Sequence, residues 1–275
     1  MSQKKDLVLI TGGSHGIGRA MAEESLKRGL SVAIVALPDA HLEKTMVDLG
    51  QQDVHFLGIN LVKDAAVEQV VNWLNQKDLM VKYLVNNVGF GRGGCFEAVP
   101  LKEYQLMLRL NNQVMVDLTY SLLPQLKITK GGILNVSSME ATLPIPYKSV
   151  YAGTKGFIYN FSLALREEFR YHDISVSTIC PGPVLTNEDG LKRVKAQGWK
   201  AKVILKMPED IAPPAIDGLL KGKAVIIPGT LPKVLASLGY VLPRSMRLKI
   251  LEKVFRKYRD NPSEVVASEE PVSSV

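Results

Sequence analysis

Short runs of aliphatic and β-branched residues recur along the chain, flanked by glycine, proline or polar clusters. They are Leu7–Thr11, Ser31–Leu37, Val54–Ile59, Tyr83–Asn86, Ile133–Val136, Ser175–Ile179 and Ala224–Ile227. Runs this short and this continuously apolar predict strands buried on both faces. Between most of them apolar positions return every three or four residues. That spacing predicts helices over Gly16–Arg28, Asp64–Asn75, Lys102–Leu126 and Tyr151–Tyr171. Strand and helix in regular succession imply an α/β fold, a Rossmann-like doubly wound parallel sheet of about seven strands with helices on both faces.

No internal repeat and no Gly/Ser linker divides the sequence. Residues 1–260 are therefore expected to form a single Rossmann-type domain, with a helical extension from about residue 229. Residues 261–275, rich in Ser, Glu and Pro, are expected to be a disordered tail. Thr186 to Met207 is long for a connection and is expected to act as a lid. Pro213-Pro214 is expected to break or kink the helix that begins near Pro208. In the extension, Leu248, Leu251, Val254, Phe255 and Tyr258 share one helical face, with Lys249, Lys253, Arg256 and Lys257 opposite. That face is expected to pack on the domain or on a partner subunit; docking on an anionic membrane surface is the alternative.

Composition fits an ordinary globule, 46% hydrophobic and 22% charged. Cys95 and Cys180 match no metal or redox spacing, which suggests a reducing compartment and no bound metal. The N-terminus leaves no room for a signal-peptide core, and no apolar run reaches the length of a membrane span. A cytoplasmic protein is expected. The net charge of +7 is concentrated between Arg244 and Arg259. No recognised binding module surrounds that stretch, which argues against nucleic acid.

Gly12, Gly16 and Gly18 lie between the first strand and the first helix, in Thr11-Gly-Gly-Ser-His-Gly-Ile-Gly18. A pyrophosphate needs close access to backbone N–H groups at a helix N-terminus, where the dipole is positive and side chains would obstruct. The spacing differs from the Gly-x-Gly-x-x-Gly fingerprint, and no Gly-Lys-Ser/Thr ending marks a P-loop. At the end of the second strand an acidic residue would bind the ribose hydroxyls and repel a 2′-phosphate. The strand ends at Ala36-Leu37 with no acid, and Asp39, after Pro38, reads as a helix N-cap. NADP is therefore preferred over NAD. No arginine stands at Leu37, so Ser14, His15 and backbone amides would have to hold the phosphate.

Tyr151-x-x-x-Lys155 is by itself an ordinary pair on one helix face. Its context changes that, because Ser138 closes a strand thirteen residues earlier. Ligands bind at the C-terminal edge of such a sheet. Hydride transfer to a carbonyl leaves an oxygen that must be protonated. A tyrosine with a pKa near ~10 needs a nearby cation to exchange its proton at neutral pH. Lys155 supplies that cation, and Ser138 can hydrogen-bond the substrate oxygen.

These residues resemble the short-chain dehydrogenase/reductase family. The motifs are Thr11-Gly-x-x-x-Gly-x-Gly18, Asn86-Asn-x-Gly89, Ser138, Tyr151-x-x-x-Lys155 and Pro181-Gly-Pro-Val-Leu-Thr186, within about residues 6–230. The resemblance implies Tyr151 as general acid/base, Lys155 on the nicotinamide ribose, Ser138 orienting the carbonyl and Asn111 holding a relay water. Asn112 is its neighbouring alternative. Val184 and Thr186 would hold the carboxamide, with Pro181 beside them, and Asn60 and Leu61 would flank the adenine. Asn87, Val88 and Gly89 would line the cleft, and Gly12 to Gly18, Ile17 included, would carry the pyrophosphate. Val88 stands where the family usually has alanine, and Leu37 where many NADP-using members have arginine.

The pocket candidates Phe90, Met139, Glu140, Ile145, Tyr147, Leu191 and Trp199 are mostly apolar, which fits a hydrophobic ketone or aldehyde reduced with NADPH. The extension also resembles, more distantly, sphingoid-base and steroid reductases, whose substrates are lipids at a membrane surface. A catalytically silent dinucleotide sensor is the reading from another class; such proteins usually lose the Tyr, Lys or Ser retained here. By resemblance the protein is expected to be a homodimer or homotetramer, associating through Lys102–Leu126 and Tyr151–Tyr171.

Overall fold

The computed structural model describes residues 5–184, 206–229 and 243–260. Seven strands form one parallel sheet in the order β3-β2-β1-β4-β5-β6-β7. They are β1 (Leu7–Thr11), β2 (Ser31–Ala36), β3 (Val54–Gly58), β4 (Val81–Asn86), β5 (Gly132–Val136), β6 (Ser175–Ile179) and β7 (Val225–Ile226). Strands β1, β2 and β5 are buried along their whole length. This is why their sequences are unbroken apolar runs rather than alternating ones.

Helices fill the intervals: α1 (Gly16–Lys27), α2 (Ala40–Leu49), α3 (Ala66–Gln76), α4 (Leu101–Leu108), α5 (Val114–Thr129), α6 (Ser149–Phe169) and α7 (Pro208–Leu220). Two more follow, α8 (Arg244–Phe255) and α9 (Lys257–Asp260). One core layer contains Leu9, Val35, Val70, Leu84, Leu118 and Leu122; the other contains Ile10, Met21, Ile34, Leu134, Ile211 and Ile216. Two separate apolar layers mean that the sheet is covered on both faces.

From β1 the chain winds outward through β2 and β3, then returns to place β4 on the other side of β1. The strand order reverses there, and folds of this kind bind ligands outside the C-terminal ends of the strands at such a reversal. Gly12 follows β1 and Asn87 follows β4.

Four expectations are corrected. The stretch Lys102–Leu126 is not one regular helix: a π-helical turn at Arg109–Gln113 separates α4 from α5. The strand expected over Ser31–Leu37 ends at Ala36, so Leu37 begins the loop. Pro213 and Pro214 do not break α7. They lie partly buried in its middle, while Ile211, Ile216 and Leu219 are buried. Burying those side chains stabilises by about 1.5–3 kcal/mol each, together of the same order as two interior prolines at ~3 kcal/mol or more apiece. Finally, Val254 is not on the packed face of α8; it is 60% exposed. The expected lid with Leu191 and Trp199, the tail at 261–275, and Thr186 lie outside the described residues.

Candidate active site

The glycine loop turns directly off β1. Gly12 and Gly16 have positive φ (66° and 55°), a backbone region that side chains disfavour. A Cβ at Gly18 would sit 2.1 Å from the Gly12 carbonyl oxygen and 2.5 Å from Asn87 Nδ2, so only glycine lets α1 start this close to β1 and β4. His15 is the extended N-cap of α1, and its side chain makes no capping hydrogen bond. The helix start therefore meets the requirement for a bound anion: a positive dipole end without a side-chain cap. Asn87 braces this corner. Its Nδ2 donates to the carbonyls of Thr11 (2.9 Å) and Gly12 (3.2 Å), and Thr11 Oγ1 accepts from the backbone N–H of Asn87 (3.0 Å) and Val88 (3.1 Å).

Beyond β2 the expected absence of an acid holds. Asp39 is the N-cap of α2, its Oδ1 accepting from the Leu42 N–H at 3.0 Å. A cluster missed in the sequence lies alongside. The rings of His15 and His41 are 4.9 Å apart, Ser14 Oγ is 3.2 Å from His15 Nδ1, and Thr45 Oγ1 donates to the Ser14 carbonyl at 2.7 Å. His41 carried no signal, because only the fold brings the start of α2 to the start of α1. Asn60 follows β3 and accepts from the Val62 N–H at 3.1 Å, while Leu61 is buried in the core.

Lys155 lies on α6, only 6% exposed. Its Nζ donates to the Val136 carbonyl at 3.0 Å, and Ser137 Oγ returns a hydrogen bond to the Lys155 carbonyl at 2.8 Å. These bonds tie α6 to the C-terminal end of β5. Tyr151 lies one turn earlier, its ring centroid 5.7 Å from Lys155 Nζ. A Cβ at Gly91 would come within 2.9 Å of that ring, and one at Gly89 within 3.7 Å of Lys155 Nζ. Gly91 is thus required by the Tyr151 ring, and Gly89 by Asn111 Oδ1, which a Cβ there would approach to 2.7 Å. Ser138 ends the same β5 edge and accepts from the Glu140 N–H at 3.1 Å through its Oγ, leaving its own hydrogen available to a ligand.

Asn111 is 2% exposed and sits in the π-helical turn. Its Oδ1 accepts from the Phe90 N–H (3.0 Å), and its Nδ2 donates to the Phe90 carbonyl (2.9 Å) and Thr154 Oγ1 (3.1 Å). Thr154 Oγ1 in turn donates to the Tyr151 carbonyl at 2.7 Å. Among the described residues Asn112 makes one side-chain hydrogen bond, from its Nδ2 to the Thr154 carbonyl at 2.9 Å. Of the two asparagines, Asn111 thus ties the Gly89-Phe90 loop to the first turn of α6. Further along the edge, the Pro181 carbonyl accepts from Met139 N–H (3.0 Å), and Val184 bridges to Lys206.

Phe90 and Ile145 are buried, and Met139, Glu140 and Tyr147 are partly so. A separate groove of about 550 Å³ runs between α3 and α5, lined by residues such as Leu61, Asp64, Arg109 and Tyr120. It contains none of Ser138, Tyr151 and Lys155. Among the described residues no cluster suits a metal, and no helix is long and apolar enough to cross a membrane.

The chain matches the family model for short chain dehydrogenase over residues 6–196. It is 33% identical to a serine 3-dehydrogenase of Rhizobium radiobacter, over 64% of this chain and 70% of that protein. It is 28% identical to the 11-beta-hydroxysteroid dehydrogenase-like 4A protein of Arabidopsis thaliana, over 86% of this chain and 81% of that one. Among solved structures, a 3-ketoacyl-(acyl-carrier-protein) reductase of Brucella melitensis complexed with NADH superposes with a TM-score of 0.70 at 26% identity. That match covers 81% of this chain and 96% of the other. A sorbose reductase of Gluconobacter frateurii complexed with NADPH shares the fold at a TM-score of 0.72 and 24% identity, over 82% and 95%. A strand-order reversal between β1 and β4 with a glycine turn at its edge, a tyrosine–lysine pair on α6 and a family match over most of the chain agree: this protein is an oxidoreductase of the short-chain dehydrogenase/reductase family, which binds NAD(P) and acts on small molecules.

Proposed function

We propose that the protein is an NADPH-dependent reductase of a hydrophobic ketone or aldehyde, with Tyr151 as its proton donor. The observation that carries this is the buried Lys155 ammonium held 5.7 Å from the Tyr151 ring at the C-terminal edge of the sheet. When bound, the dinucleotide supplies the hydride. Tyr151 Oη gives its proton to the carbonyl oxygen, and Lys155 stabilises the phenolate left behind. Ser138 Oγ donates to the same oxygen as charge develops there. Asn111 acts through Phe90 and Thr154, holding the carbonyl end of Tyr151 in place, alongside its proposed hold on a relay water. The proposed cofactor contacts are Gly12 to Gly18, Leu37, Asn60, Leu61, Asn87 to Gly89, Pro181, Val184 and Thr186.

Preference for the 2′-phosphorylated cofactor is supported by the use of Asp39 Oδ1 as the α2 cap and by the facing His15 and His41 rings near Ser14. NADPH is expected to bind more tightly than NADH, and the double variant His15→Ala/His41→Ala to erase most of that difference. Equal affinities in the wild type would reject this part. Relatives named as very-long-chain 3-oxoacyl-CoA reductases and as steroid-dehydrogenase-like proteins support a hydrophobic substrate. A panel of long-chain and polycyclic ketones with NADPH tests it, and turnover confined to small polar carbonyls would count against it.

One observation favours action at a lipid surface. Met246, Ile250 and Val254 form an exposed apolar stripe on α8 beside exposed Lys249 and Lys253. Co-sedimentation with anionic vesicles, lost in Ile250→Asp, supports that reading; no sedimentation removes it. Exposed Tyr120 and Ile128 on α5 and Phe157 on α6 support self-association through these helices, which a solution mass measurement decides.

A further inference from the structure

The segment Arg244–Asp260 lies beyond the family match, yet it reaches the proposed proton donor. Three of its side chains contact the residues just before Tyr151. Glu252 accepts a hydrogen bond from Tyr147 Oη at 3.1 Å. Phe255 and Tyr258, stacked on each other at 6.0 Å, have the Lys148 ammonium over their rings at 5.9 and 5.3 Å. Gly93 completes the contact, since a Cβ there would lie 3.0 Å from both Tyr258 Cδ1 and Lys148 Cγ. Tyr147 holds a left-handed backbone (φ 64°) and accepts from the Gly94 N–H at 2.7 Å. Strain of this kind persists only where surrounding contacts fix the conformation.

The same ammonium lies 5.5 Å from the Tyr151 ring centroid and 2.9 Å from Glu140 Oε1. Burial works against its charge, but Glu140 and Tyr258 outweigh burial and hold its pKa above the usual lysine value. We infer that α8 and α9 position Lys148 as a second cation on Tyr151, supplementing Lys155. This rests on the reading of Tyr151 as the proton donor. Lys148 is then a positioning residue for the proton step, and Phe255 and Tyr258 act through it.

The charged and titratable groups around this point are Lys155 on α6, Lys148 at the start of that helix, and Glu140 on the turn after β5. Tyr258 on α9 and the Tyr147–Glu252 pair follow, with Arg259 and Cys95 acting on Tyr147. Arg92, beside Gly91, is paired with Glu103. A unit charge at this distance, half offset by the Glu140 carboxylate, shifts a phenol by about one pH unit.

The test is an ultraviolet phenolate titration, wild type minus Tyr151→Phe, run on the full chain with NADP+ present. It reads Tyr151 without needing a substrate. Lys148→Met is expected to raise the Tyr151 midpoint by about one pH unit, and Lys148→Arg to restore it. Glu140→Gln is expected to lower it. The Phe255→Leu/Tyr258→Leu double variant is expected to raise it by less than Lys148→Met. A purely structural role would not give opposite signs for Lys148→Met and Glu140→Gln. An unmoved midpoint in Lys148→Met with unchanged thermal stability overturns the inference. If Lys148→Met fails to fold, an unmoved or raised midpoint in Glu140→Gln overturns it instead. Absence of carbonyl turnover in the wild type would overturn the proposed reaction alone, because the titration still reads the lysine.

Discussion

Replacing Asn111 by alanine removes a buried side chain that hydrogen-bonds the loop after β4 to α6. Three hydrogen bonds go, to Phe90 N, Phe90 O and Thr154 Oγ1, at a position 2% exposed. Each bond contributes about 0.5–1.5 kcal/mol net, and water cannot reach the orphaned Phe90 groups to replace them. The expected cost is about 3 kcal/mol, within a range of ~1.5–4.5. Asn112→Ala is the matched control. It loses one bond, to the Thr154 carbonyl, from a half-buried residue, and should cost about 1 kcal/mol. For a chain of this size each kcal/mol moves Tm by roughly 2–4 °C, so drops of about 6–12 °C and 2–4 °C are expected. Urea unfolding with unchanged m-values, run beside thermal melts, measures both. Equal costs for the two variants, or less than about 1 kcal/mol for Asn111→Ala, would refute the assignment of Asn111 as the joint.

Further predictions concern other parts of the molecule. Gly91→Ala should displace the Tyr151 ring and lower kcat about tenfold or more with little change in cofactor affinity, whereas Gly153→Ala, whose Cβ meets nothing within 4 Å, should be silent or slightly stabilising. Unchanged kcat in Gly91→Ala would show that the ring has room. Burial pushes the Cys180 thiol up to about 11, so a thiol reagent should label the half-buried Cys95 first and Cys180 only after unfolding. Equal labelling rates in the native protein would contradict this. Asp217 is held below the usual carboxylate range, first by its hydrogen bond to Arg28, a contact that joins α7 to α1. A depressed carboxylate stabilises the fold above its unfolded pKa, and the contribution is lost as pH falls through the folded value. Asp217→Asn should therefore destabilise at neutral pH and become neutral in acid; the reverse trend would contradict the pairing.

The buried strands were legible because a doubly covered parallel sheet demands unbroken apolar runs, and β1 and β6 end where the pattern says. The glycine loop and the Asp39 cap were legible because each answers a local backbone requirement. The π-helical turn was not, since Arg109–Gln113 keeps a helical apolar spacing and only the reach of Asn111 to Phe90 distinguishes it. His41 and Lys148 were invisible for a different reason. Each meets its partners through chain reversal, His41 across the β1/β2 connection and Lys148 across more than a hundred residues to Phe255 and Tyr258. The proline pair in α7 misled because proline cost is local and the burial that offsets it is tertiary. On α8 the apolar face was assigned from periodicity alone; Val254 faces away while Phe255 packs against Lys148.

The central claim is that a hydride leaves a dinucleotide held at Gly12 to Gly18 while Tyr151 delivers the proton. It is tested most directly by comparing the wild type with Tyr151→Phe on the best carbonyl found, following deuterium transfer from labelled NADPH into the alcohol. The account predicts label in the wild-type product, a fall in kcat/KM of about 100-fold or more in Tyr151→Phe, and an unchanged NADPH affinity. Equal rates in the two proteins, or an alcohol without label, would contradict it.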